Sequence, residues 1–223
     1  MLLIGIVLTV LAYMLSLFIS KRMKLSFLNP ILVTSLIIVG IIHWTPLSYD
    51  TYAEGGAQIV KILGPLVVVL AVPLYNNKHI LKKYYKPISI GIFTGVISSA
   101  LSVAGLSWLM RLDMDIMLSL LPKSITSPMA IEVSEIIGGI KELTVVFVVI
   151  TGIFGASIGP VVFNVFTIRN DTAKGMALGA GSHGVGTAKA VEISDQAGAA
   201  SSLSMVLCGV TTIILSIIVM KIL

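Results

Sequence analysis

Residues 178–204 read LGAGSHGVGTAKAVEISDQAGAASSLS, and this stretch decides how the rest of the chain is interpreted. It opens with glycines around Ser182 and His183, and it goes on to carry Lys189 and Glu192. The stretch lies between two long apolar runs, in a chain that otherwise keeps charge out of such runs. Ionisable side chains inside a membrane are costly and mark functional sites by default. The stretch therefore predicts a polar, glycine-rich element between two membrane spans.

The same stretch has a second copy earlier in the chain. Residues 130–144, AIEVSEIIGGIKELT, align with residues 190–204, AVEISDQAGAASSLS, at a constant offset of 60. Self-similarity at a fixed offset is the signature of an internal repeat. We predict two copies over about 118–168 and 178–221. The identical pairs are Ala130/Ala190, Glu132/Glu192, Ser134/Ser194, Gly138/Gly198 and Leu143/Leu203.

Composition places the chain in a membrane. It is 57% hydrophobic and 11% charged, whereas soluble domains average about 25% charged residues. Several apolar runs approach the length of about 20 residues that a spanning helix needs. The formal net charge of +5 does not indicate a nucleic-acid partner, because the basic residues cluster in short loops between spans. We predict an all-α polytopic protein in which residues 1–223 form one transmembrane domain.

About six spanning helices and two broken or re-entrant segments are expected. Lys21, Arg22 and Lys24 follow the first span, and the positive-inside rule makes that cluster cytoplasmic, which puts the N-terminus outside. The acidic stretch 45–58 is predicted to be an exterior loop. Residues 1–86 hold the first three spans, and residues 87–223 hold the fourth span and the repeat. The six predicted spans are 2–19, 29–44, 59–75, 88–110, 143–168 and 202–220.

The two polar segments, 116–142 and 175–199, do not fit simple lipid-facing helices. Glu132 and Glu135 near the bilayer centre would each cost about 2.5–3.5 kcal/mol. Pro122 and Pro128 interrupt the first segment further. Irregular backbone at membrane depth is tolerated where it is buried in protein. We therefore interpret both segments as broken or re-entrant.

The charges after the fifth span bear on topology. If each polar segment enters and returns, one repeat unit crosses the membrane once and the second copy is inverted. If each segment crosses fully, the two copies are parallel. Arg169 and Lys174 against one Asp171 favour a cytoplasmic 169–174 loop and hence the inverted arrangement.

Inverted repeats with interrupted helices build anion sites in many secondary transporters, because half-helix N-termini present free N–H groups and the positive end of the helix dipole. The openings at 123–127 and 181–187 have the small, hydroxylated residues that suit a carboxylate. His183 is either a proton switch or a hydrogen-bonded core histidine. The predicted substrate-binding residues are Lys123, Ser124, Thr126, Ser182, His183, Gly184, Gly186 and Thr187.

Glu132, Glu192 and Lys189 are the candidates for ion coupling, because a carboxyl group in a low dielectric exchanges protons closer to neutral pH. Lys189 and Glu192 lie three residues apart, so they alternatively form a self-neutralising pair. The sequence shows no nucleophile–base set, metal cluster or nucleotide-binding loop. We therefore expect neither enzymatic activity nor a cofactor or metal.

Three motifs carry a resemblance to a known family. LPKSITSPMAIEVSEIIGG (residues 121–139), GSHGVGTAKAVEIS (181–194) and LGPLVVVLAVPLY (63–75) resemble the CidB/LrgB family of bacterial membrane proteins. The resemblance covers most of the chain. It implies an antiholin-like or murein-hydrolase-regulating protein in the bacterial plasma membrane that acts with a small CidA/LrgA-type membrane partner. The resemblance also implies a link to transport, because the family includes the C-terminal half of a plastidial glycolate/glycerate transporter and bacterial relatives are linked to pyruvate uptake.

The repeat and the resemblance together lead to two expectations. The first is a secondary transporter of small monocarboxylates of the pyruvate, glycolate or glycerate type, with proton coupling as an option. The alternative is an antiholin-like regulator of murein hydrolase activity and autolysis. A homo-oligomer in the lipid bilayer is expected in either case.

Overall fold

The computed structural model describes residues 2–23, 30–62, 65, 68–69, 71–76 and 78–220. The chain divides into two compact units, Met1–Leu66 and Val67–Leu223. In the first unit, helices α1 (Leu2–Met23), α2 (Pro30–Trp44) and α3 (Tyr49–Val60) are described.

Helix α1 packs against both other helices of the first unit. Gly5 lies so close to α3 that a Cβ atom there would be 2.8 Å from the Cα of Gly55. Eleven residues further along α1, the hydroxyl oxygens of Ser16 and Thr34 are 2.7 Å apart. A glycine pair and a hydroxyl pair are both typical contacts between membrane helices.

The prediction of a loop over 45–58 was wrong, because α3 occupies most of it. Ser48 caps this helix: its side chain accepts a hydrogen bond from the backbone N–H of Thr51 at 3.2 Å. Serine at this position satisfies one of the N–H groups that a helix start leaves free. The acidic residues Asp50 and Glu54 suggested a loop, but the capping serine was the informative signal.

The second unit contains the predicted repeat. Its described helices are α4 (Ala71–Asn76), α5 (Lys78–Met110), α6 (Met114–Leu120), α7 (Ser127–Ile137), α8 (Lys141–Val165), α9 (Asp171–Ile193) and α10 (Asp195–Met220).

The all-helical, polytopic prediction is confirmed. Among the described residues, four helices are long and apolar enough to cross a membrane, and Pro30–Trp44 is a shorter apolar helix. Five residues of the predicted span 59–75, at 63–64, 66–67 and 70, lie outside the described residues; in the described part, α3 ends at Val60 and α4 begins at Ala71. The four long candidate spans are Leu3–Arg22, Lys82–Met110, Lys141–Val165 and Asp195–Ile218.

Helix α9 is a re-entrant hairpin, called hairpin 2 below. Its backbone leaves helical geometry at Ser182 and His183, and His183 has a φ of 41° and a ψ of −131°. After this turn the chain folds back, so that a Cβ atom at Gly186 would meet the carbonyl group of Leu178. Eight residues along a straight helix would separate those positions by about 12 Å. Each limb is about 15 Å long, half of the bilayer core.

The second polar segment folds back in the same way. Helices α6 and α7 flank a turn over 121–126, and together they form hairpin 1 (residues 114–137). The end of α7 returns to α6, where a Cβ atom at Gly139 would lie 2.9 Å from the backbone nitrogen of Ser119. The prediction that both polar segments are broken or re-entrant is therefore confirmed.

Helix directions show that the two copies are inverted. Hairpin 2 enters antiparallel to α8, because Ser182 contacts Gly155 whereas Leu178 contacts Gly159. The same limb runs parallel to α10: the hydroxyl of Ser204 donates to the carbonyl oxygen of Met176, and the thiol of Cys208 to that of Ala180. Helices α8 and α10 are therefore antiparallel, and each repeat unit crosses the membrane once.

Equivalent hydroxyl groups join each hairpin to the span that follows it. Thr144 in α8 donates to the carbonyl oxygen of Ser119 at 3.1 Å. Ser204, at an offset of 60, donates to the carbonyl oxygen of Met176 at 2.9 Å. The aligned hydroxyl groups thus bond to a hairpin carbonyl in both copies, although the two acceptors, Ser119 and Met176, are not themselves aligned.

One aligned pair differs in conformation. Gly138 ends α7 with a φ of 86°, whereas Gly198 lies inside α10. A second glycine, Gly139, follows the first of the pair, while Ala199 follows the second. In the second copy the chain breaks earlier, at Ser194, and Gly198 lies inside α10, where Ala199 favours the helix by about 1 kcal/mol over a second glycine.

Candidate functional site

The turn of hairpin 2 is sealed against the middle of α8. The Nε2 atom of His183 lies 2.9 Å from the backbone carbonyl oxygen of Val148. Because a carbonyl oxygen only accepts, Nε2 carries the hydrogen of this bond. Ser182 and His183 are only 2% and 6% exposed. A Cβ atom at Gly152 would lie 2.6 Å from the His183 ring, so a residue without a side chain is required there.

The residues after this turn are engaged within the protein. The hydroxyl of Thr187 donates to the carbonyl oxygen of His183 and lies 2.9 Å from the hydroxyl oxygen of Ser201. Gly186 packs against the first limb, whereas Gly184 has room around it. Residues of the second predicted opening are therefore largely engaged in contacts with other parts of the protein.

The turn of hairpin 1 presents a cation. Lys123 stands 60 residues before His183 and occupies the equivalent turn position. Its ammonium group donates to the hydroxyl of Ser99 in α5 at 3.2 Å. The hydroxyl oxygens of Ser99 and Ser124 are 3.4 Å apart. Thr126 is the N-cap residue of α7, and its buried hydroxyl has no hydrogen-bond partner.

A cavity of about 1140 Å³ lies beside this turn. Helix α5 forms one wall, and α8, α9 and α10 contribute further lining residues. Lys123 and Ser124 enter it from hairpin 1, and Gly181 enters it from hairpin 2. Prediction from sequence missed the α5 wall, although the spacing of Gly91, Gly95 and Ser99 was a usable signal for it.

The lining is mainly apolar, and its polar members are Lys123 and seven serine and threonine residues. Among the described lining residues there is no aspartate, glutamate, asparagine or glutamine. The ion pairs found in the described parts of the chain do not involve Lys123. An ammonium group without a carboxylate partner in an apolar cavity favours an anionic ligand, because a charge removed from water needs a counter-charge.

The structure brings some of the predicted substrate-binding residues to this cavity. Lys123 and Ser124 line it. The residues predicted in the second opening do not belong to its lining, which leaves their substrate-binding role a prediction. They are Ser182, His183, Gly184, Gly186 and Thr187.

The candidates for ion coupling lie away from the cavity. Glu132 is exposed on α7. Glu192 is exposed and lies 2.6 Å from the ammonium group of Lys189, as the self-neutralising alternative anticipated. Glu135 forms a comparable pair with Lys141 at 2.9 Å.

The two ends of hairpin 2 are joined by polar contacts. Asp171 at its start forms an ion pair with Lys174 at 3.0 Å. Hydrogen bonds from Lys174 and Ser194 hold the pKa of Asp171 below its usual value. Thr172 accepts a hydrogen bond from Gln196 at 2.7 Å. These contacts connect the entry of the hairpin to the start of α10.

No group of histidine, cysteine, aspartate or glutamate side chains within the described residues is arranged to hold a metal ion. Cys208 is buried. Cys208, Lys123 and several serine and threonine residues line the cavity.

Comparison with known proteins places the chain among membrane proteins of bacteria. Residues 9–222 match the model of the LrgB-like family. YxaC of Bacillus subtilis (strain 168) is 42% identical over 92% of this chain and 89% of its own length. Holin-like protein CidB of Staphylococcus epidermidis (strain ATCC 12228 / FDA PCI 1200) is 36% identical over 94% of this chain and 92% of its own length.

Holin-like protein CidB of Staphylococcus aureus (strain N315) is also 36% identical, over 96% of this chain and 93% of its own length. No solved structure matches the chain. The family match and these relatives confirm the resemblance carried by the three sequence motifs. The chain belongs to the LrgB-like family.

Proposed function

We propose that this chain is an antiholin-like membrane regulator of murein hydrolase activity and autolysis. The LrgB-like family match and the relatives named holin-like protein CidB support this function. They support it better than they support transport, because none of the names reported above mentions a transported solute.

A second function, transport of small monocarboxylates, is favoured by one structural observation. Lys123 projects into a cavity without a carboxylate partner among the described lining residues, inside an inverted repeat of spans and re-entrant hairpins. Inverted repeats with interrupted helices are a common architecture of secondary transporters. Pyruvate, glycolate and glycerate each carry the single negative charge that Lys123 would neutralise.

The two functions are compatible. Movement of a weak acid across a membrane changes the cytoplasmic pH and the energetic state of the membrane. Such a change provides a physical connection between carboxylate transport and the control of autolysis.

The cellular setting is part of the proposal. The chain resides in the bacterial plasma membrane with its N-terminus outside, because Lys21 and Arg22 end the first span. It acts with a small CidA/LrgA-type membrane protein and as a homo-oligomer. It performs no enzymatic reaction and uses no cofactor.

The transport proposal is tested in proteoliposomes with labelled pyruvate and glycolate. Uptake is expected with the native chain and is expected to fall at least tenfold in Lys123→Gln. Lys141→Gln is the matched control, because it removes an exposed ammonium group that already has a carboxylate partner. Absence of uptake for every acid, with and without a pH gradient and the small partner, would refute transport.

The regulatory proposal is tested separately in cells that lack the gene. Detergent-induced lysis and murein hydrolase activity on zymograms are compared with and without the native chain. A difference supports regulation, whereas identical lysis curves and zymograms contradict it. Lys123→Gln in the same assay shows whether regulation needs the cation.

A further inference from the structure

The two hairpins reach different depths along the span that precedes each of them. The turn of hairpin 2 contacts Val148, which lies about 25 Å along the helix axis from Val165, the end of α8. The turn of hairpin 1 contacts Ser99, which lies about 16 Å from Met110, the end of α5. Hairpin 1 is therefore the shallower of the two by about 9 Å.

The shallower hairpin leaves a face of small residues uncovered. In α8, Gly152 and Gly155 are covered by His183 and Ser182. In α5, a Cβ atom placed on Gly91 or on Gly95 would meet nothing within 4 Å. Gly91 and Gly95 both line the cavity. The cavity thus occupies the space that a longer hairpin 1 would fill.

The chemistry of the cavity is uneven along α5. At the turn of hairpin 1, Lys123 lies beside the hydroxyl groups of Ser99 and Ser124. On the N-terminal side of Ser99, the residues of α5 that line the cavity are mainly glycine and aliphatic. They include Gly91, Ile92, Gly95 and Val96. One end therefore suits an anionic group, and the remainder suits a hydrocarbon chain.

The same lining restricts the charge of a ligand. A second carboxylate would find no further cation there, and an ammonium group would find no acid among the described lining residues. Burial of either charge without a partner is unfavourable. Dicarboxylates and amino acids are thus disfavoured, and monoanions are favoured.

The volume of the cavity favours a ligand larger than an acid of two or three carbons. Pockets for drug-sized ligands measure about 300–1000 Å³, and this cavity of about 1140 Å³ is at least as large. An acid of two or three carbons would leave most of its apolar wall without contacts. A longer chain would cover that wall, and burial of each further CH₂ group away from water is favourable.

We infer that the cavity binds a single-chain monocarboxylate of medium length, with its carboxylate at Lys123 and its chain along Gly91 and Gly95. The inference rests on the anion site of the transport proposal and extends its ligand class from small acids to acyl chains. A free acid is favoured over a phospholipid, because Ser99 and Lys123 meet near the middle of the Lys82–Met110 span. Phospholipid headgroups lie at the membrane surface instead.

The test measures ligand protection of an introduced cysteine and needs no transport. Ser98→Cys in a Cys208→Ala background places a thiol on the cavity wall, since Ser98 is exposed and lines the cavity. Its alkylation rate by a maleimide is measured in purified protein with octanoate, pyruvate, octanol or a phosphatidylglycerol additive. Gly105→Cys in the same background is the control, because Gly105 lies on the same helix and outside the lining.

Octanoate is expected to protect the thiol of Ser98→Cys at a concentration at least tenfold lower than pyruvate does, while the thiol of Gly105→Cys is unaffected. Lys123→Gln should abolish this protection, and Gly95→Leu should weaken protection by octanoate more than protection by pyruvate. Equal protection by pyruvate and octanoate would overturn the inference. It would also be overturned if octanol or phosphatidylglycerol protected as well as octanoate, or if Lys123→Gln changed nothing.

Failure of this test and failure of transport are distinguishable. Pyruvate uptake without a preference for octanoate would retain the transport proposal and reject the acyl-chain site. Protection by octanoate without any uptake would retain the site and reject transport.

Discussion

The ring of His183 reaches the backbone of Val148, with Nε2 2.9 Å from the carbonyl oxygen in the first half of α8. The equivalent turn residue of the other copy, Lys123, reaches only the hydroxyl of Ser99 and lines a cavity. A single position of the repeat thus has two uses. In one copy it seals a hairpin against a span, and in the other it leaves a cation beside an open space.

His183→Ala is expected to destabilise hairpin 2. The substitution removes a buried hydrogen bond and a ring that packs on Gly152, and the loss should be about 1–3 kcal/mol. Thermal unfolding of the purified protein in detergent measures it. Lys189→Ala, at an exposed position of the same helix, should change the midpoint little. Equal midpoints for native protein and His183→Ala would contradict this role of the histidine.

Gly152→Ala is expected to destabilise the same contact from the side of α8. The added Cβ atom would lie 2.6 Å from the His183 ring, and overpacking of this kind costs about 1–3 kcal/mol. Gly105→Ala is the matched control, because a Cβ atom there meets nothing within 4 Å. The control should be neutral or slightly stabilising, since alanine is the better helix former. If Gly152→Ala and Gly105→Ala had the same midpoint of thermal unfolding, α8 and hairpin 2 would not be packed as described.

Much of this architecture could be predicted from the residues alone. The offset of 60 identified the repeat, and the prolines and glycines in it predicted interrupted helices. The same offset aligns Lys123 with His183, so their equivalence was also present in the sequence. The acidic stretch 45–58 was misinterpreted as a loop, because two acids outweighed the capping signal of Ser48.

Other features depend on tertiary packing and have no local signal. The partner of His183 is a backbone carbonyl group in another helix, and no side-chain pattern at Val148 indicates that contact. The cavity depends on how far each hairpin extends along its span. That depth follows from limb lengths and from the packing of α5. The spacing of Gly91 and Gly95 indicates a face of small residues, but it does not show that hairpin 1 leaves this face uncovered.

Thr144→Val is expected to weaken the junction between hairpin 1 and α8. The Thr144 hydroxyl donates to the Ser119 carbonyl oxygen at 3.1 Å and lies 2.7 Å from the Ser134 hydroxyl. Its removal leaves buried polar groups with fewer partners, at a cost of about 1–3 kcal/mol. Thr211→Val is the comparison, because the bond given for Thr211 stays within its own helix. Chemical denaturation should show a clear loss for the first variant only; a comparable loss for both would argue against a special role for Thr144.

Lys123→Gln is expected to remove the effect of anions on the stability of the protein. A ligand that binds only the folded state at a hundred times its Kd raises stability by about 2.7 kcal/mol. Octanoate should therefore raise the unfolding midpoint of native protein and leave that of Lys123→Gln unchanged. An equal rise in both proteins would show that the cation does not hold the ligand.

The inverted arrangement of the two copies requires hairpin 2 to enter and leave on the same side of the membrane. Single substitutions Asn170→Cys, Asp195→Cys and Ile140→Cys in a Cys208→Ala background test it with a membrane-impermeant thiol reagent. If hairpin 2 is re-entrant, the thiols at positions 170 and 195 are labelled from the same side. The thiol at position 140 is then labelled from the opposite side, because α8 crosses the membrane between positions 140 and 170. From the positive charges of Arg169 and Lys174, the shared side is expected to be the cytoplasmic one. Labelling of positions 170 and 195 from opposite sides would contradict the re-entrant hairpin and replace the inverted repeat with a parallel one.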